Sequence, residues 1–219
     1  MAWSRVGSDP WDSPSSLLAL AVDAGGNLYA AGRFGGTDAA PAYVVRKWNG
    51  TAWTALGSWP DFATGVACAV VVDGAGNLYA GGRVARDYAM TWSAYLVKWD
   101  GVNWTPPESW TEPLGTVAAM TTDGEGHLVI GGTFAAAGDI PASRVARWDG
   151  TAWSAFGSGL DGTVRALAVD GHGNLAAGGD FAHAGSWFSG NFGLWFEPTT
   201  SLVAPGAPPS RPILQAAVP

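Results

Sequence analysis

A chain of 219 residues, 47% hydrophobic and 13% charged, is long enough to build a sizeable core and too apolar to be disordered. Its net charge of −7 comes without any cluster of Lys and Arg, which excludes a nucleic-acid surface or an anionic membrane as the main partner. The 32 glycines and 13 tryptophans suit many tight turns between short, well-buried strands, and the longest apolar runs are strand-sized rather than membrane-spanning.

The chain opens on Ala2-Trp-Ser-Arg-Val-Gly-Ser8, which reads as the end of a repeat met again further along. No charged-then-apolar targeting segment precedes Trp3. The first full unit follows. An apolar run (strand A) meets a turn at Asp23-Ala-Gly-Gly26, and a second run (B) ends at Ala31-Gly32. After a variable loop a third run (C) ends at Trp48, and Asn49-Gly50 turns the chain into a fourth (D) carrying Trp53. Asn-Gly and Asp-Gly between strand-like runs are hairpin signals, because both central residues tolerate positive φ.

Unit two repeats the plan over residues 68–84 and 96–109, with Asp73, Gly81-Gly82, Trp99 and Trp104, although Pro106-Pro107 predicts an irregular outer strand. Its Cys68 is the single cysteine, so no disulfide can form within the chain, and its apolar surroundings predict a structural thiol. Unit three occupies residues 117–134 and 145–158, with Asp123, Trp148 and Trp153. Unit four has Asp170 and runs from Val164 to Trp195, but no turn and no second tryptophan follow. The aspartates recur at intervals of 50, 50 and 47 residues. Four short strands in a period near 50 make a propeller blade, whereas solenoid repeats of this length would show helical periodicity.

Unit four thus lacks strand D, and the N-terminal stretch matches strand D, with Trp3 lying 50 residues before Trp53. The sequence predicts an all-β, four-bladed propeller over residues 1–199, closed by residues 2–7 pairing with the last blade, which would remove two sheet edges. The alternative is a larger ring, of which these units form part or which another chain completes; the complementary ends weigh against it. Residues 200–219 are proline-rich and read as an extended tail or linker.

The patterns Asn-Leu-Tyr-Ala-Gly-Gly-x-Phe and Val-x-Arg/Lys-Trp-Asp-Gly-x-x-Trp-x-x-Phe/Leu-Gly-Ser-Gly resemble kelch-like propeller repeats. They look like the type found in large secreted bacterial proteins and in the extracellular part of fungal cortical cell-polarity markers. The resemblance covers residues 2 to about 196 and implies the fold; for function it leaves enzyme, lectin and scaffold open. The chain departs from the pattern at Ala31, at Pro106-Pro107 and in the truncated last unit.

A residue present in every unit builds the unit before it serves a ligand. Asp23, Asp73, Asp123 and Asp170 are therefore expected to accept backbone hydrogen bonds in the A–B turns rather than to form a carboxylate ring. Trp48, Trp99 and Trp148, with Trp3, Trp53, Trp104 and Trp153, are expected to wedge between blades. Lys47, Lys98 and Arg147 should lay their stems over the blade surface. Asn49-Gly-Thr51 and Asn103-Trp-Thr105 match the N-glycosylation pattern, which has force only in a eukaryotic secretory setting.

The B–C and D–A loops differ from unit to unit and share one face of a propeller, so a specific site is expected there. Trp92, Trp187, Phe188, Tyr88, Trp59, Trp110, Asp87 and His183 are the candidates for stacking on, and hydrogen bonding to, a protein loop or a sugar. The opposing reading of Trp59 and Trp110 is that they cap the core; Trp92 and the Trp187-Phe188 pair lack counterparts in units one and three. No nucleophile triad, no metal-ligand spacing of His and Cys, and no phosphate loop is found, and no cofactor is expected. The expectation is a non-enzymatic binding or structural module outside the cell, with a protein or glycan partner and assembly into a larger complex as an option. A lectin with sugar sites at blade junctions is the first alternative, a glycan-active enzyme the second.

Overall fold

The computed structural model describes residues 2, 16–33, 43–57, 65–85, 91–111 and 113–196. Among them all regular structure is β, and every strand pairing is antiparallel. Unit one folds as β1 (Ser16–Val22), β2 (Leu28–Arg33), β3 (Tyr43–Trp48) and β4 (Trp53–Ala55). Unit two comprises β5 (Val66–Val72), β6 (Leu78–Ala85), β7 (Trp92–Trp99) and β8 (Trp104–Thr105). Unit three begins with β9 (Val117–Thr122) and β10 (Leu128–Gly132), inserts a hairpin of β11 (Ala136–Ala137) and β12 (Ile140–Pro141), and ends with β13 (Val145–Trp148) and β14 (Trp153–Ala155). Unit four begins with β15 (Thr163–Val169) and β16 (Leu175–Asp180), inserts a hairpin of β17 (His183–Ala184) and β18 (Trp187–Phe188), and ends at β19 (Phe192–Trp195).

Units one to three are four-stranded sheets in A-B-C-D order, and unit four is a three-stranded sheet ending at strand C. With the two small hairpins this makes six sheets among the described residues, none closed into a barrel or ring. Strands β1 and β5, β5 and β9, and β9 and β15 pack on one another, but nothing of comparable extent joins β15 back to β1. Ring closure within the chain is therefore absent among the described residues. Of the expected closing strand, 2–7, only Ala2 belongs to them; Trp3 and the tail 200–219 lie outside. Strand β8 stops after two residues because Pro106 and Pro107 supply no ladder amide.

Side-chain oxygens cap both sets of turns. In the A–B turns Asp23 Oδ1 accepts the amides of Gly25 and Asn27, both at 2.9 Å, while Oδ2 accepts the Asn27 side chain at 2.8 Å. Asp73 with Asn77 and Asp170 with Asn174 repeat this arrangement. In the C–D turns Asn49, Asp100 and Asp149 each accept two amides, and Gly50, Gly101 and Gly150 take the positive φ of 98°, 103° and 99° that the next position requires. The tryptophans pair across strands C and D, Trp48 on Trp53 at 5.6 Å, Trp99 on Trp104 at 5.2 Å and Trp148 on Trp153 at 5.1 Å. Trp104 Nε1 donates to the Leu56 carbonyl of unit one at 2.6 Å, and Trp195 meets Phe156 of unit three edge-on at 5.6 Å. Lys47 lies over the Tyr29 ring, Lys98 over Tyr79 and Arg147 over Phe156, each within its own unit.

The Gly-Gly pair at the end of strand B in units two and three has two separate causes. Its second glycine faces a bulge in strand A, and a Cβ at Gly82 would overlap the carbonyl oxygen of Val66. The first faces the next unit: a Cβ at Gly81 would come within 2.7 Å of Val117 Cγ1, and one at Gly131 within 2.6 Å of Val164 Cγ1. Unit one carries Ala31 at this place, and the residue it faces in the same buried cluster is Ala67 rather than a valine. The extra methyl on one side is thus matched by the smaller residue on the other, which accounts for the exception.

Two outcomes follow from this packing. Gly82→Ala should lower stability by about 1–3 kcal/mol in urea unfolding, because backbone must move to admit the methyl. The Asn27 side chain and the turn amides hold the Asp23 carboxyl at about 2 against the usual 3.8, and the amides of Ala152 and Thr151 hold Asp149 at about 2. A depressed folded-state pKa stabilises fully above pH 3.8 and ceases to do so as pH falls towards 2, so the thermal midpoint should be flat near neutrality and drop between about pH 4 and 2.

Candidate functional site

The B–C and D–A segments meet on one edge of the sheets. Ala94 N donates to Pro113 O at 2.7 Å, Gly115 N to Trp92 O at 3.0 Å, and Thr111 Oγ1 to Gly138 O at 3.1 Å. Between units three and four, Leu160 N donates to Ser143 O at 3.0 Å and Gly185 N to Gly159 O at 2.7 Å. The A–B and C–D turns occupy the opposite edge, where Gly74 N donates to Gly126 O at 2.8 Å across two units.

Four of the expected site residues come into view on the loop edge. The β17–β18 hairpin is tied down by Asp161, whose Oδ1 accepts the amides of Ala182 at 2.8 Å and His183 at 2.9 Å. Its Oδ2 lies 2.8 Å from His183 Nδ1, and the His183 ring stands edge-on to Phe188 at 5.8 Å. The His183 amide and ring, with the Ala182 amide, hold the Asp161 carboxyl below the usual carboxylate range. Trp187 is 65% exposed and Phe188 77%, so two aromatic faces stand beside a carboxylate and an imidazole. Trp92 is half-buried, and the Arg83 guanidinium covers its ring at 4.4 Å.

Trp110 is not on this surface. It is buried, packs on Trp153 at 5.3 Å and belongs to the core between units two and three, because its loop folds back over strand D of unit three. Tyr95 is likewise a buried core residue, within β7. Trp59, Tyr88 and Asp87 lie outside the described residues.

The small hairpins were not legible as strands in the sequence, and they revise the comparison between units. Phe134-Ala-Ala-Ala-Gly138 and Phe181-Ala-His-Ala-Gly185 lie 47 residues apart and both open such a hairpin, so Trp187 takes the place of Ile140 and Phe188 that of Pro141. The return is shared as well: Arg144 and Asn191, with φ of 72° and 73°, give their carbonyls to Gly132 N and Gly179 N. The Trp187-Phe188 pair therefore has a counterpart in unit three. Ile140 packs against the core that β14 completes, whereas unit four has no strand D among the described residues.

On the turn edge a cavity of about 350 Å³ lies between units two and three, lined by Asp73, Asn77, Glu125, His127, Trp148 and Asp149 among others. Asp73 and Asp149 are committed to their turns. Asp123, Glu125 and His127 can bring three ligand atoms within 4.8 Å of one another, a geometry open to a cation. Arg147 opposes it, donating to Asp123 Oδ2 at 3.1 Å. Burial would raise the Asp123 carboxyl, but the His127 and Glu125 amides and the His127 ring outweigh it and hold the group low. Cys68 is half-buried and burial pushes its thiol up, away from the reactive thiolate.

These features define an all-β protein of successive antiparallel sheets with a uniform turn edge and a variable loop edge. No protein-family model and no curated protein matches the chain. The fold is similar to a solved extracellular domain of BT4673, a proposed one-component system of B. thetaiotaomicron, with TM-score 0.52 and 11% identity over 82% of this chain. The chain spans 21% of that structure, and at this identity the likeness is one of fold. A second structure of that extracellular domain, described there as part of a hybrid two-component system, matches with TM-score 0.36 and 9% identity over 85% of this chain and 28% of its own.

Removing the Asp161 carboxylate should loosen the hairpin without unfolding the sheets. In Asp161→Ala the amides of Ala182 and His183 are expected to exchange with deuterium at least tenfold faster, while those of β9 and β10 keep their wild-type rates.

Proposed function

We propose that this chain is a non-enzymatic binding or structural module, built of propeller blades of the kelch-like kind, that presents its B–C/D–A loop edge to a protein or glycan outside the cell. The observation that carries the reading is the pair of exposed rings, Trp187 and Phe188, held beside His183 and Asp161 on that edge. Flat apolar faces next to hydrogen-bonding groups suit a sugar ring or a protein loop, and an exposed tryptophan is an anchor type enriched at interfaces.

Two further facts support it. Seven described aspartates serve the scaffold: Asp23, Asp73, Asp123 and Asp170 close A–B turns, Asp100 and Asp149 close C–D turns, and Asp161 holds the hairpin. Asp23, Asp100, Asp123, Asp149, Asp161 and Asp170 keep depressed pKa values, which suits a general acid poorly. The fold likeness is to an extracellular domain of a proposed one-component system, and a binding role outside the cell fits such a domain.

A glycan array and a displayed-peptide library, probed with the whole chain, separate the two partner classes. Trp187→Ala with Phe188→Ala should weaken the bound ligand at least tenfold, about 1.4 kcal/mol, with an unchanged circular-dichroism spectrum. Trp92→Ala should weaken it as well. Full affinity in both variants would remove this edge as the binding surface.

A further inference from the structure

We propose that the outward faces of units one and four are the two halves of a head-to-tail contact with a second copy of this chain. The contact is one the chain already makes internally three times. At each internal junction strand A of one unit lies on strands A and B of the unit before it, and the same positions recur.

The half carried by unit one is an uncovered strand A. Leu17, Leu20 and Val22 correspond to Ala67, Val70 and Val72 in unit two and to Val164, Leu167 and Val169 in unit four, all of which pack in a cluster shared with the preceding unit. In unit one they face outward, with Leu20 54% and Val22 63% exposed.

The half carried by unit four is an uncovered receiving face. Phe192 stands where Val45, Leu96 and Val145 are buried under the next unit, and it is 58% exposed. Leu194 is exposed where units one to three carry the basic residues Lys47, Lys98 and Arg147, so this face is more apolar than the covered ones.

The two halves also match in size. Gly81 admits Val117 and Gly131 admits Val164, whereas Gly178, the next in the series, has only the Asn191 carbonyl near its Cβ position, at 3.9 Å. Leu17 occupies the position of Val117 and Val164, so it is the side chain that Gly178 is shaped to receive. The turn edge shows the same gap: Cβ positions at Gly74 and Gly124 come within 2.8 Å and 3.1 Å of Gly126 and Gly173, but the equivalent Gly171 has nothing within 4 Å.

Both halves belong to one chain and neither is covered among the described residues, so a copy of the same chain is the occupant that satisfies both. A head-to-tail contact either closes or runs on into a filament, and two copies of four units make eight, at the upper end of the about four to eight blades that propellers contain.

Light scattering behind size exclusion tests this with the whole chain. The wild type should have twice the mass of one chain. Gly178→Val fills open space in the single chain, so its thermal midpoint should match that of the wild-type monomer after dilution, yet the dimer should weaken at least 100-fold. Leu20→Asp with Val22→Asp should do the same from the other side. Mixing these two variants is not expected to restore a closed ring. A monomeric wild type, which would assign the faces to closure within the chain or to further repeats, overturns the proposal, and so does a dimer that both variants leave intact. Larger oligomers abolished by either variant would retain the head-to-tail contact and overturn the ring of eight.

Discussion

Units three and four each depend on the one before through a fit between a glycine on strand B and a valine on the neighbouring strand A. Gly81 against Val117 and Gly131 against Val164 let two sheets approach until their faces exclude water. The hydrophobic clusters lie between the sheets rather than inside any one of them, so a single sheet has no core of its own. Stability then sums over junctions, as in other repeat architectures, and burial of each Val or Leu at a junction contributes about 2 kcal/mol. Among the described residues units one and four each have one junction instead of two, and unit one shows the result in its row of exposed leucines.

Much of this order could be read from the sequence because the repeat supplies its own control. Asp23, Asp73, Asp123 and Asp170 recur with a glycine two or three residues on, and the structure finds them bonding turn amides. The proline pair 106–107 announced a curtailed strand, and β8 has two residues. Ala31 looked like a lapse in the Gly-Gly pattern, but its reason lies in Ala67, residues away in sequence and adjacent in space. Volume complementarity across a sheet interface leaves no local periodicity to detect.

The loop edge was harder to read for a related reason. Trp110 and Trp187 are both tryptophans in variable segments, and composition alone treats them alike. Trp110 is drawn into the core by Trp153, while Trp187 stands free on a hairpin anchored by Asp161. The hairpin strands have two residues each, below the length at which alternation of apolar and polar residues can be seen. The shared Phe-Ala-x-Ala-Gly of units three and four is the available signal, and it lies in the B–C segment, which differs from unit to unit elsewhere in the chain.

The glycine contact between successive A–B turns has an architectural consequence. Gly74 and Gly126 touch backbone to backbone and share a hydrogen bond, so the sheets are pinned together at the turn edge at the smallest separation a chain allows. The bare backbone of Gly81 and the side chain of Val117, farther along the strands, set the separation there. Two spacings at two heights fix the angle between successive sheets. The inclination of one sheet on the next is thus written in the difference between a bare Cα at one end of a strand and a valine at the other.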